Sequence, residues 1–463
     1  VFPSARATVV TRLSTTLLVL LLALAAVDCR REPAPRNVAL VILDTVRADF
    51  TGLGASEGSF TPVFDRLAEE GTLFTNAWAA APWTVPSHAS MFTGALPAEH
   101  GCSMRDFRFD TDRPALAEIL REHGYEAVAM FANPWLSDEV TGLLRGFEVR
   151  DEAPFAGFLR RPEDRDGFQG GPAVISRVAD WLDRRPGDRP FFLFVSFLEP
   201  HLPYDPPPDY RSEHLRDLPP DDVVTIDTGI EFNAGLHPVD SVDWERVRRL
   251  YGGDVYTADR LLADLVALLE EHGLDGNTVL IVTSDHGENL GEHGRMDHQF
   301  SVHETLLKVP LVIRAPGLLA PGARTDPVML TDLYATALDC AGVRDATLPR
   351  HSRSLLRDEP SQDSPPRPLF AEYAGPHPTI LNLMRLANPS RDATPLARAY
   401  RTIRVGRLRL TVADDGWTEL HDLTADPGQK RSIASERPHD VAALRAILDA
   451  EIPPRGREPA VPS

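Results

Sequence analysis

Lysine is almost missing. Of 48 Lys and Arg residues only Lys308 and Lys430 are lysines, so a site that recognises an anion must be assembled from Arg, His, backbone amides or a metal ion. Cysteine is equally scarce: Cys29, Cys102 and Cys340 are too few for a disulfide framework and their spacing matches no zinc motif. Cys102 and Cys340 read as small buried residues. Positive charge is in deficit as well, and the formal net charge of −20 argues against nucleic acid or an anionic membrane surface as the main partner. Repeats of fixed period are absent, which sets solenoids and propellers aside.

Long apolar runs are also few. Leu17 to Val27 is one, preceded by Arg6 and Arg12, and it has the layout of an export signal while being short for a membrane span. Cys29 follows where a bacterial lipoprotein carries its lipidated cysteine, although Asp28 departs from the small residue expected before it. Export to the periplasm or cell surface is expected, with membrane tethering through this segment as one form of it. Pro33 and Pro35 mark a spacer up to residue 36. The expected organisation beyond it is a catalytic domain over 37–357, a linker over 358–369 rich in Pro and Ser, a small α+β subdomain over 370–450 and a tail over 451–463.

What the chain does contain is an alternation of buried strands and amphipathic helices. Asn37 to Leu43, Ala127 to Ala132, Phe191 to Leu198, Thr278 to Ser284 and Val309 to Arg314 read as strands, the β-branched and aromatic runs of a sheet covered on both faces. Phe60 to Gly71 reads as a helix with a Thr61 cap, Pro62 in its first turn and Gly71 as stop. Pro114 to Gly124, Val174 to Arg184, Trp244 to Glu271 and Leu330 to Ala341 read as further helices, with Gly252 and Gly253 a point of interruption or close packing. Together they predict an α/β fold with a doubly wound, mostly parallel sheet. Segments from Ala399 to Leu423 predict a small antiparallel C-terminal sheet, followed by a last helix over Val441 to Leu448. Glu148 to Gly171 reads as a surface loop, and Arg211 to Val242 as a polar rim insertion without periodicity.

Three stretches carry chemistry. In Ala81 to Gly94, Pro86 suits a first helical turn, Thr84 sits at the mouth of the helix as N-cap or its neighbour, and Gly94 ends it. The positive end of that helix faces whatever the Thr84 oxygen faces. The first strand ends in Asp44 and the Thr278 strand in Asp285 and His286. Ligands bind beyond the carboxyl ends of strands in open α/β sheets, so these residues are predicted to share one crevice.

These stretches resemble the sulfatase family of the alkaline-phosphatase superfamily. The family's nucleophile motif, Cys or Ser followed by x-Pro-Ser-Arg, is matched by Thr84-Val85-Pro86-Ser87-His88, and Ser284 to Glu288 with Gly291 to Gly294 looks like its second metal loop. Glu419 to Gly428 resembles its C-terminal signature. The resemblance implies an alkaline-phosphatase-like fold and one divalent ion held by Asp44, Thr84, Asp285 and His286. Many relatives have a further Asp where Thr45 stands, and calcium-dependent ones have Asn where His286 stands. That imidazole favours manganese or zinc, with calcium the alternative. The resemblance also gives His88 the place of the motif's Arg, orienting the nucleophile or a substrate oxygen. His201 takes the place of a His that contacts the anionic group, and His298 that of a Lys on the leaving-group side. His293 is a weaker candidate, and the acidic Glu288, Glu292 and Asp297 of the same loop are expected to be solvated.

Sulfatases of this family oxidise their Cys or Ser to formylglycine, and Thr84 does not undergo that maturation. No formylglycine is therefore expected. Threonine nucleophiles are what the superfamily's phosphodiesterases and phosphoryl-group transferases use. The expected activity is metal-dependent hydrolysis of a phosphate or phosphonate ester through a covalent Thr84 intermediate. The alternatives are a sulfuric ester hydrolase that works without formylglycine, an envelope phosphoryl-group transferase, and an inactive protein that binds an anionic glycan. The substrate class in each case is a small-molecule, glycan or lipid-derived anionic ester.

Overall fold

The apolar run Asn37–Leu43 forms β1, and all of it is buried. Val38, Leu40 and Ile42 point into one core layer while Ala39, Val41 and Leu43 point into the other, which is why the run is continuous rather than alternating. A computed structural model describes residues 36–53, 59–153, 169–357 and 365–454. The export-like segment with Cys29, residues 358–364 of the expected linker and most of the tail lie outside the described residues.

After β1 the chain forms α1 (Pro62–Glu70), β2 (Thr72–Phe74), α2 (Thr84–Thr93), α3 (Leu116–Glu122), β3 (Glu126–Phe131), β4 (Val149–Glu152) and α4 (Gly171–Arg184). Next come β5 (Phe191–Phe197), α5 (Pro208–His214), α6 (Ile226–Asn233), α7 (Trp244–Glu271), β6 (Thr278–Thr283), β7 (Leu311–Arg314), β8 (Gly322–Arg324) and α8 (Asp332–Cys340). The eight-stranded sheet has the order β8-β2-β7-β6-β1-β5-β3-β4. Only β7 runs against its neighbours; all other pairs are parallel. β1 lies between β5 and β6, with Val41 opposite Val195 and Val282, so β1 and β6 deliver their carboxyl ends side by side.

The C-terminal part adds β9 (Leu369–Tyr373), α9 (Pro378–Ala387), β10 (Tyr400–Val405), β11 (Leu408–Ala413), β12 (Thr418–Asp422) and α10 (Pro438–Glu451). Its four strands are antiparallel in chain order. Leu369, Ile403, Leu410 and Leu420 of this sheet share one buried cluster with Val85 and Phe92 of α2, so the small sheet has no separate core. Cys102 and Cys340 are free and buried.

Two sequence expectations are corrected. Part of the Glu148 to Gly171 stretch is strand β4, an outer strand whose charged Arg150, Asp151 and Glu152 are tolerated because only one side is paired. The Arg211 to Val242 stretch contains the end of α5 and all of α6, whose first turn Thr225 caps by accepting the Thr228 N–H at 3.2 Å. These helices are too short for a periodic signal. Helix α7 passes through Gly252 and Gly253 unbroken. The glycines permit close packing: a Cβ at 252 would lie 2.5 Å from the Phe60 ring, and one at 253 would lie 2.6 Å from Pro206 and Tyr210.

Helix α1 starts after Thr61 as expected, but the Thr61 side chain caps nothing. Asp259 on α7 accepts the N–H groups of Val63 at 2.8 Å and Phe64 at 2.9 Å, so a carboxylate 195 residues away caps the helix. Asp259→Ala leaves two amides unpaired at a helix N-terminus, and should lower stability by about 2 kcal/mol in urea unfolding.

Candidate active site

Asp44 and Asp285 leave adjacent strands at the same end of the sheet and are fully buried with His286. Each of the three brings a ligand atom within 4.8 Å of the other two. Asp44 Oδ1, Asp285 Oδ2 and His286 Nε2 are buried without a hydrogen-bond partner, and the last two face each other at 3.3 Å. The remaining atoms of these side chains are anchored. Asn133 Nδ2 donates to Asp44 Oδ2 at 2.7 Å, and the Thr45 and His286 amides donate to Asp285 Oδ1 at 3.3 and 3.0 Å. His286 Nδ1 lies 3.0 Å from the Gly287 carbonyl, which fixes the proton there and leaves Nε2 as the free donor of a lone pair.

Burial and the neighbouring Asp285 push the Asp44 carboxyl well above its ordinary range, against the Asn133 hydrogen bond. Burial also works to raise Asp285, but His286, His88 and the Thr45 amide hold it below the usual carboxylate value. Burial pushes His286 down to about 4, so its imidazole is neutral, as a metal ligand must be. Two close carboxylates and a neutral imidazole with free lone pairs fit a divalent cation with mixed oxygen and nitrogen donors.

Helix α2 is docked onto this group. Thr84 is its first helical residue rather than its cap, a place taken by Trp83, and Gly94 ends it with φ 66°. Ser87 Oγ donates to the Asp285 carbonyl at 2.7 Å. His88 Nδ1 lies 2.8 Å from the Thr84 carbonyl and 3.6 Å from Asp285 Oδ2. Burial lowers the His88 pKa. The buried His88 ring thus hydrogen-bonds the backbone of Thr84 and lies beside Asp285.

Two more predicted histidines join them. The His298 ring lies 4.6 Å from that of His286 and 5.0 Å from that of His201. Burial works against protonation of His298, but Asp297 and Glu288 raise it well above the ordinary histidine value. Its Nδ1 is 2.8 Å from Asp297 Oδ1 and 3.6 Å from Glu288 Oε2. These residues form a second group with metal-like spacing, in which an imidazolium balances the carboxylates. His201 Nδ1 donates to the Leu202 carbonyl at 2.7 Å, and burial lowers its pKa to about 4.

The expectation of a solvated acidic loop is overturned: Glu288 is fully buried, Asp297 mostly so, and Glu292 pairs with Arg47 at 2.8 Å. Residues 285–303 fold back over the strand ends, and the acidic groups are enclosed with cationic partners. His293 turns away, stacking on His303 at 3.6 Å. Sequence reasoning missed Asn133 and Tyr251. Asn133 follows the carboxyl end of β3, the place where the strand-end rule directs attention. Tyr251 sits in mid-helix; its hydroxyl donates to the Thr45 carbonyl at 2.8 Å and accepts the Arg47 N–H at 3.0 Å, and no local pattern signals that.

Comparison with known proteins finds relatives and solved structures of the same fold. A sulfatase from Formosa agariphila is 24% identical over 93% of this chain and 91% of its own length. Arylsulfatase K of Canis lupus familiaris is 25% identical over 89% and 81%. Among solved structures, the phosphonate monoester hydrolase of Agrobacterium radiobacter superposes with a TM-score of 0.69 at 21% identity, covering 90% of this chain and 95% of that one. A structure solved with its substrate D-glucosamine-2-N,6-O-disulfate gives 0.68 at 19% identity, covering 90% and 97%. The sulfatase family profile matches residues 36–343, which includes every strand of the large sheet together with Asp44, Thr84, Asp285 and His286, and the chain belongs to that family.

Proposed function

We propose that this sulfatase-family hydrolase cleaves phosphate or phosphonate esters, with Thr84 as nucleophile and one divalent ion, manganese or zinc before calcium, held by Asp44, Thr84, Asp285 and His286. The observation that carries the reading is the set of unpartnered buried donors on Asp44, Asp285 and His286, onto which the Thr84 turn is fastened through Ser87 and His88. A divalent cation bound there supplies Lewis acidity, lowering the pKa of an adjacent hydroxyl and offsetting charge on the transferred group.

Within that frame the side chains divide the work. Thr84 Oγ1, its proton already lost to solvent, forms a bond to phosphorus as the bond to the leaving oxygen breaks. His298, kept protonated by Asp297 and Glu288, gives its proton to that oxygen. Water then attacks phosphorus, its proton passes to His298, and Thr84 is released. His201 faces the same space as His298 and hydrogen-bonds a substrate oxygen. His88 holds the Thr84 backbone and Asp285 in register. Absence of formylglycine is part of the reading, because Thr84 offers neither the thiol nor the primary alcohol that maturation oxidises. So is export through the Arg6 to Val27 segment, with Cys29 as a tether.

Sulfate esters are the second reading. The relatives named arylsulfatase, an ulvan-active sulfatase of Formosa agariphila and the disulfated glucosamine complex favour it, and they point to an anionic glycan. The two separate in a panel of aryl phosphate mono- and diesters, phosphonates and sulfates, each assayed with manganese, zinc or calcium after chelation. Turnover of phosphorus esters with manganese or zinc is expected; turnover confined to aryl sulfate with calcium overturns both preferences. Thr84→Ala should reduce kcat by about a thousandfold or more, whereas a glycan-binding protein would keep its ligand affinity and show no turnover to lose. Manganese or zinc at about a hundred times its Kd should raise the melting temperature by a few degrees through roughly 3 kcal/mol of binding linkage, and Asp44→Asn should abolish the shift in calorimetry.

A further inference from the structure

Aromatic side chains run in contact from the residue before Thr84 to the surface. Trp83, the residue before Thr84, is 4% exposed, and its ring meets that of Trp135 edge-on at 5.2 Å. Phe107 meets Trp135 in the same manner at 5.6 Å, and His377 lies 6.3 Å beyond Phe107. Trp135 itself is 38% exposed.

Its position is not that of an incidental surface residue. Asn133 donates through Nδ2 to Asp44 Oδ2 at 2.7 Å and accepts the Trp135 N–H on Oδ1 at 2.9 Å. One side chain therefore fixes a predicted metal ligand and the turn Pro134–Leu136 that carries Trp135 in a common frame. The two flanking rings hold the indole in place, so a ligand that stacks on it need not immobilise it first. An uncharged aromatic surface two residues from Asn133, the hydrogen-bond partner of Asp44, adds contact area without adding repulsion on a chain of net charge −20.

We propose that Trp135 is the platform of a subsite for the alcohol portion of the ester, one that selects a ring with an apolar face. Both a planar aryl group and a pyranose present such a face. The inference rests on the ester-hydrolase reading above and adds to it the class of leaving group. Trp135 stacks on the ring while the anionic group lies against His201 and His298, so ring-bearing esters bind more tightly than short alkyl esters of the same anion.

The test uses the full chain in a Thr84→Ala background, where Asp44, Asp285 and His286 remain to hold manganese and binding is read without turnover. Dissociation constants of phenyl phosphate, glucose 6-phosphate and ethyl phosphate are measured by calorimetry with and without Trp135→Ala. The substitution should weaken at least one ring-bearing ligand about tenfold and ethyl phosphate by less than about twofold, and Trp135→Phe should restore most of the loss. A loss confined to phenyl phosphate assigns the subsite to aryl groups, and a loss confined to the sugar phosphate assigns it to pyranoses; both support the proposal. Equal weakening of all three ligands, no weakening of either ring-bearing one, or no binding of any overturns it. Failure of the hydrolase reading appears separately, as no turnover by the unsubstituted chain, and an unchanged melting temperature shows that the variants fold.

Discussion

Two carboxylates that neighbouring strands force together in a buried place set the terms for the rest of this molecule. Asp44 and Asp285 cannot both be charged there unless positive charge or donors surround them. The polar architecture around the sheet's carboxyl end supplies these: Asn133 from β3's end, the amides of Thr45 and His286, and the His88 ring from α2. What remains unmet is oriented inward on three lone pairs. A fold that keeps such a deficit accepts a cost of several kcal/mol, which a cation bound there would offset, so that binding it would also stabilise the fold.

That coupling explains the layers of support behind the ligands. Tyr251 reaches from α7 to grip the backbone on both sides of Val46, and Arg47 is pinned between Asp49, Glu292 and the Glu288 carbonyl. The loop after Asp285 is itself tied to the C-terminal sheet: Gln429 Oε1 accepts from the Glu304 amide and from Arg409, and Arg404 pairs with Glu304. The small sheet thus buttresses the loop that carries His286 and His298. Its hydrophobic side chains also continue the core behind α2.

Much of this was legible in the chain. The strands that end in Asp44 and Asp285, the long α7, the Thr84 helix with its Gly94 stop and the small C-terminal sheet all stand where periodicity, turn residues and the motif resemblance put them. What could not be read was long-range partnership. Asp259, which no local pattern singles out, caps α1, while Thr61, the local candidate, does not. Glu288 and Asp297 looked like solvent-facing loop acids because burial of a loop is invisible to local composition. The short α6 and the edge strand β4 gave too few residues for a periodic signal, and tertiary contacts made them regular.

Thr45 holds φ at 60°, a region that β-branched residues rarely enter and that Asp and Asn tolerate better. Its hydroxyl is buried with no partner, while its amide donates to Asp285 Oδ1 at 3.3 Å. Strain is thus stored in a backbone link that anchors the site, and asparagine there would ease the chain while leaving that amide where it is.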